Sequence, residues 1–188
     1  MRLPKPFIHP QACVIGLVEL SPGCSIWPGA VLRADMNSIR LGRAVNIQDG
    51  TVIHTDSERG VTIGDFTLVG HKAMLHGCRI GRAVLIGTGS TVHDDAEIED
   101  GAMIMANCVI RGKKKIPARA LVLPAGDDVR ILPGKAKTLM TIAGSLEYVA
   151  LAKRYQKGVF GPFRSHELRR FEMEAKKIFQ EIFPALSP

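Results

Sequence analysis

The sequence predicts a mainly β chain wound as a parallel β-helix of hexapeptide repeats, with α-helices at its C-terminal end. Three observations predict it. Aliphatic residues recur every six positions through most of the 188 residues, from Ile26 to Val122. Aromatic residues are 5% of the chain against 19 glycines, so Val, Ile and Leu must fill the core, a composition that suits a repetitive β architecture better than a helical globule. After Pro133 the beat stops and helical spacing replaces it, which divides the chain into a β-helix domain over 1–133 and a helical segment over 134–188.

The repeat reads in order as Ile26, Leu32; Leu41, Ile47, Ile53; Ile63, Val69, Leu75; and then Ile80, Ile86, Val92, Ile98, Ile104, Ile110, Ile116 and Val122. Gly often follows the aliphatic residue, as at Gly42, Gly64, Gly70, Gly81 and Gly87. A small residue often sits four places on, as at Thr51, Thr67, Ala73, Ser90, Ala96, Ala102 and Cys108. Each hexad supplies a short strand and a corner, and three make one triangular coil. The beat slips at Asn37 to Arg40, at Asp56 to Val61, and by one missing residue before Ile80. Extra residues in a stacked solenoid are expected to leave it as outward loops. Beyond the repeats, Ser145 to Lys157 predicts a helix with Ser145 as N-cap and Gly158 just past its end. A second helix opens at Ser165 and runs to about Phe183, with Leu168, Phe171, Ala175, Ile178, Phe179 and Ile182 forming one apolar stripe for packing.

The net charge of +7 is dispersed apart from Lys113-Lys114-Lys115, Arg169-Arg170 and Lys176-Lys177, with no aromatic residues interleaved. That pattern predicts a solvated surface with a mild pull on small anions, and no nucleic-acid partner. Cys13, Cys24, Cys78 and Cys108 show no CxxC spacing. Met1 to Pro10 is basic and proline-broken, and no 18-residue apolar run is present, so the expectation is a cytoplasmic protein with reduced thiols and no membrane span.

Assigning successive hexads to three faces gives the histidines their geometry. Leu41, Ile63, Ile80, Ile98 and Ile116 start the first face; Ile26, Ile47, Val69, Ile86, Ile104 and Val122 the second; Leu32, Ile53, Leu75, Val92 and Ile110 the third. His54 and His76 then hold the same place on successive coils of the third face, with backbones roughly 4.8 Å apart, close enough to share an ion. His71 lies on the second face, five residues and up to about 16 Å of extended chain from His76. If all three are ligands, His71 must serve another subunit's ion, and a ring of three prisms allows this. In that ring Arg33 of one subunit and Asp49 of the next should form an ion pair one coil lower. Three neutral histidines with an open position make a catalytic donor set, able to lower the pKa of bound water to about 7. The plainer alternative is that His54, His71 and His76 are surface or interface polar residues. His93 extends the ladder Arg33, His54, His76 by one more coil, either as an exposed turn histidine or as a candidate proton relay.

Arg33-x-Asp35, Asn46-x-Gln48-Asp49-Gly50, His54, and His71 with His76 five places on together resemble the γ-class carbonic anhydrase family, over roughly residues 12–157. The resemblance implies a homotrimer of left-handed β-helices that hydrates CO2 reversibly to bicarbonate through a metal-bound hydroxide. The metal is usually zinc, with cobalt or iron as alternatives. It implies that His54 and His76 bind from one subunit and His71 from the next. Gln48 and Asn46 match residues that orient bound water or bicarbonate, and Tyr148 matches a tyrosine that reaches the site from the C-terminal helix. Arg33, Asp35 and Asp49 match an interface charge network. The sequence departs from the best-studied kind of this family at Met36, where a catalytic glutamate is expected. It departs again in the short Asp56–Arg59 loop, where Glu58 is the only glutamate available as a proton shuttle. Two other readings remain from the residues: a hexapeptide-repeat acyltransferase, and a metal-binding scaffold trimer without strong carbonic anhydrase activity.

Overall fold

The computed structural model describes residues 2–187. Short parallel strands stack in three columns. One sheet runs Phe7–Ile8, Ser25–Ile26, Asn46–Ile47, Leu68–Val69, Leu85–Ile86, Met103–Ile104 and Leu121–Ala125, and ends on the antiparallel strand Asp128–Leu132. The other two faces form one continuous sheet, because the strand Val31–Leu41 turns the corner between them. Its first half pairs with Val52–His54 and its second half with Val61–Ile63.

The registers reproduce the three faces read from the hexads. Leu32, Ile53, Leu75, Val92 and Ile110 are successive partners in one column. Leu41, Ile63, Ile80, Ile98 and Ile116 form the second. Ile26, Ile47, Val69, Ile86, Ile104 and Val122 form the third. Every one of these side chains is at most 3% exposed. Burying an aliphatic side chain of this size is worth about 1.5–3 kcal/mol, so the column that dictates the period also supplies most of the stability. The small residues four places on fit the corners: Thr51, Thr67, Ala73, Ser90, Ala96, Ala102 and Cys108 are all buried. Their hydroxyls are satisfied across coils, Thr51 Oγ1 donating to Gly70 O at 2.8 Å and Ser90 Oγ to Met105 O at 3.0 Å.

The structure departs from the sequence reading in four places. A further coil precedes the first one counted: Phe7–Ile8 pairs with Ser25–Ile26, and Cys13–Leu20 with Val31–Leu41. Ile8, Val14 and Leu20 keep the six-residue beat, but as the end coil they have no neighbour beneath, and Ile8 and Val14 are exposed. Asn37 to Arg40 is not an extruded loop; it is strand, and Ile39 is fully buried opposite Val18. The second slip is a loop only as far as Gly60, closed by Asp56 Oδ1 accepting the N–H groups of Glu58 and Arg59, and Val61 has already re-entered the core.

The fourth difference is the first helix. α1 spans Thr138–Tyr155, beginning seven residues before the expected start, and Ser145 lies inside it rather than at its N-cap. Tertiary contacts hold that early stretch: Ile142 is fully buried, Thr138 Oγ1 donates to Gly101 O at 2.7 Å, and Ser145 Oγ donates to Ala44 O at 2.7 Å. α2 spans Ser165–Ile182 as the sequence predicts, with Glu167 accepting the Arg164 N–H at 2.9 Å. Ala175, Ile178 and Phe179 of its stripe are buried with α1 against Ala44, Phe66 and Ala83 of the prism, while Leu168 stays exposed. No described helix is long and apolar enough to cross a membrane.

Candidate metal centre

Two of the three candidate ligands meet within one chain. The strands Val52–His54 and Met74–His76 pair in parallel with His54 opposite His76, and Arg33 opposite His54 on the other side. Inward Ile53 and Leu75 fix the pleat, so the next residue on each strand points away from the core, and the two imidazoles stack outside it with ring centroids 5.1 Å apart. Their side chains are 19% and 27% exposed, so the pair is largely shielded by its surroundings.

Each ring is held from behind by a carboxylate. Asp35 Oδ1 lies 3.0 Å from His54 Nε2, and the other oxygen of Asp35 pairs with Arg33. Asp94 contacts His76 Nδ1. The facing nitrogens, His54 Nδ1 and His76 Nε2, are 3.2 Å apart. A carboxylate only accepts, so the outer nitrogen of each ring carries the proton, and in the neutral form that metal ligation requires the facing nitrogens both present lone pairs. Two lone pairs at that distance repel unless a cation lies between them. Tetrahedral Zn–N bonds of about 2.0–2.1 Å set two ligand nitrogens about 3.3 Å apart, close to the gap seen here. The donor set therefore fits a divalent metal such as zinc, cobalt or iron. Partial burial works to raise the Asp35 carboxyl, but hydrogen bonds from Arg33 and His54 outweigh it and hold it below the ordinary carboxylate range.

His71 is not part of this pair. It lies in the turn after Leu68–Val69, its side chain is 48% exposed, and Nδ1 pairs with Asp49 at 3.0 Å. Within one chain, then, Arg33 pairs with Asp35 and Asp49 with His71. Tyr148 on α1 packs edge-on against Trp27 at 5.6 Å. Burial raises its phenol, helped by the negative charges of Asp49 and Glu147. Gln48 is buried on the same coil edge as Asp49, and Asn46 is buried with Nδ2 donating to Ser25 Oγ at 2.9 Å and Oδ1 without a hydrogen-bond partner. His93 is exposed one coil past His76, and among the described residues its ring forms no hydrogen bond, ion pair or ring contact. Met36 and Glu58 are exposed, Glu58 pairing with Arg59 at 3.2 Å.

The sequence reading missed two carboxylates beside His76. Asp94 contacts it directly, and Asp56, His76 and Asp94 can bring one ligand atom each within 4.8 Å of one another. A signal for Asp94 was present in the ladder, since it follows His93, the coil neighbour of His76. Asp56 gave none, because its place depends on how the loop folds back. Cys24 and Cys78 are not candidates: burial pushes their thiols up to about 12, far from the thiolate that nucleophilic or metal chemistry requires. The groove between α1 and α2, about 580 Å³ and lined by Arg2, Val149, Lys153, Arg170 and Phe171 among others, contains none of the candidate site residues.

Comparison with known proteins agrees with the repeat and with the histidine motifs. Residues 77–112 match the family described as Bacterial transferase hexapeptide (six repeats). The chain is 38% identical over 118 residues to Gamma carbonic anhydrase 2, mitochondrial, of Arabidopsis thaliana, a match covering 60% of this chain and 42% of that protein. The chain thus spans less than half the length of this plant relative. Carnitine operon protein CaiE of Escherichia coli is 35% identical over 135 residues, 67% of this chain and 69% of that protein. A crystal structure of a hexapeptide transferase family protein from Anaplasma phagocytophilum superposes with a TM-score of 0.70 at 32% identity, covering 80% of this chain and 92% of that one. Shared repeats, shared coils and identity over most of the length of two relatives lead to one conclusion: the chain belongs to the hexapeptide-repeat family, as a γ-carbonic anhydrase-like member.

Proposed function

We propose that this protein binds a divalent metal, most simply zinc, between subunits of a homotrimer, and hydrates CO2 reversibly to bicarbonate there. The observation that carries the reading is the His54–His76 pair, with facing nitrogens 3.2 Å apart and a carboxylate behind each ring. The half-exposed His71, turned out at the neighbouring edge, suits a ligand offered to the next subunit. In that ring Arg33 and Asp49 of adjacent subunits would exchange their in-chain partners for each other. A divalent cation held there supplies Lewis acidity, which makes water available as hydroxide near pH 7. Gln48 and Asn46 are assigned to orienting water and bicarbonate, and Tyr148 to closing the site from α1. With Met36 in the place of a catalytic glutamate and Glu58 tied to Arg59, the proton is expected to leave to buffer. Four unpaired cysteines suit a reducing compartment such as the cytoplasm.

The test is metal analysis of protein purified without added metal, followed by stopped-flow CO2 hydration. Near-stoichiometric zinc, cobalt or iron with metal-dependent hydration that rises with buffer concentration is the expected result. Metal without hydration would reduce the protein to a metal-binding scaffold. The likeness to a hexapeptide transferase favours acyl transfer as a second reading. Metal-free protein that binds acetyl-CoA tightly would support it and sink the first.

A further inference from the structure

The structure assigns Asp94 as a positioning residue for His76, an inference that rests on the metal site proposed above. Asp94 contacts Nδ1 of His76, the nitrogen remote from His54, and so fixes the proton there and leaves Nε2 as the donor. The surroundings are arranged for this contact. The step from Leu75 to Ile80 is one residue short of a hexad, and Gly77 takes φ +51 in the tightened turn. A Cβ at position 77 would lie 2.7 Å from Asp94 Oδ1 and 3.0 Å from Arg59 Cβ, so only glycine leaves the carboxylate its place beside the ring. The turn bearing Asp94 is tied down on both sides. The Asp95 N–H donates to Gly77 O at 2.9 Å, and Arg59 Nε donates to Asp95 Oδ1 at 2.9 Å. The Asp56–Gly60 loop, which carries no long acidic excursion, here serves through Arg59 to hold the neighbour of Asp94.

The experiment compares the wild type with Asp94→Ala, Asp94→Asn and Asp56→Asn. The readouts are cobalt(II) affinity, followed by visible absorption, and the His76 tautomer in metal-free protein, followed by 15N–1H correlation of the ring nitrogens. Asp94→Ala is expected to weaken cobalt binding about ten- to a hundredfold and to release the Nδ1–H tautomer of His76. Asp94→Asn, which keeps an acceptor, should retain the tautomer and lose less affinity. Asp56→Asn keeps the turn acceptor and should leave both unchanged. An unchanged tautomer in Asp94→Ala overturns the inference. Equal losses in Asp56→Asn and Asp94→Ala overturn it too, because they would make Asp56, His76 and Asp94 the ligands themselves. Wild type that binds no cobalt refutes the metal site, while the tautomer still decides the contact between Asp94 and His76.

Discussion

At the scale of single residues, the glycines that follow the aliphatic residue in some hexads are set by the backbone of the next coil. Gly87 follows Ile86, and a Cβ there would lie 2.4 Å from Ala106 N and 2.5 Å from Met105 C. Neither atom can rotate away, so the stack itself would have to open. Gly87→Ala is expected to cost about 3 kcal/mol, the upper end for overpacking, seen as a lower urea midpoint with an unchanged slope. A full-strength midpoint would mean that the coils slide more freely than their registers imply. The inward column and these glycines were legible in the sequence because both answer to a fixed period. His54 and His76 were legible for the same reason, each being one place past an inward residue on adjacent coils. Asp56 was not, since its position depends on loop closure through the Glu58 and Arg59 N–H groups, which has no period. Tyr148 was readable as a helix residue, but its packing on Trp27 belongs to the docking of that helix.

At the scale of elements, the helices show where local signals stop. α2 was read almost to the residue because its apolar stripe is a local signal, and the Arg164–Glu167 contact that the structure adds at its start is local as well. The first seven residues of α1 carry Thr138, Thr141 and Gly144, poor helix formers that are held by the prism instead. Ser145 resembled an N-cap because a polar residue before an apolar run usually is one. Its hydroxyl instead crosses to the corner residue Ala44, which has φ 54. Ser145→Ala leaves that buried carbonyl without this donor and should destabilise the chain by about 1–3 kcal/mol by thermal or urea unfolding, with helix content retained. Loss of helicity before global unfolding would show that Ser145 acts as a cap after all. The strand Val31–Leu41 teaches the same lesson. Its extra residues break the six-residue count, yet burial of Ile39 keeps them in the sheet.

At the scale of the whole molecule, the parallel stack follows from the repeat, whereas the assembly rests on the proposed sharing of ligands. That sharing has a sharp genetic consequence. His71→Ala leaves a subunit's own His54 and His76 intact, and His54→Ala leaves its His71 intact. Each variant alone should lose metal binding. Refolded together, every mixed ring should regain an intact site wherever the first variant's pair faces the second's His71. Recovery of bound cobalt on mixing checks this, with light scattering to verify that the rings are mixed; no recovery from mixed rings would refute ligation between subunits. The hairpin of Leu121–Ala125 with Asp128–Leu132 bears on a different hazard. A stack of parallel strands at a fixed spacing has the internal geometry of a cross-β fibril, and its last rung would template another copy of itself. On the face that ends in Leu121–Ala125 the chain doubles back antiparallel, so the strand offered to solvent there no longer matches the parallel start of another molecule. The solenoid is a filament that carries its own terminator.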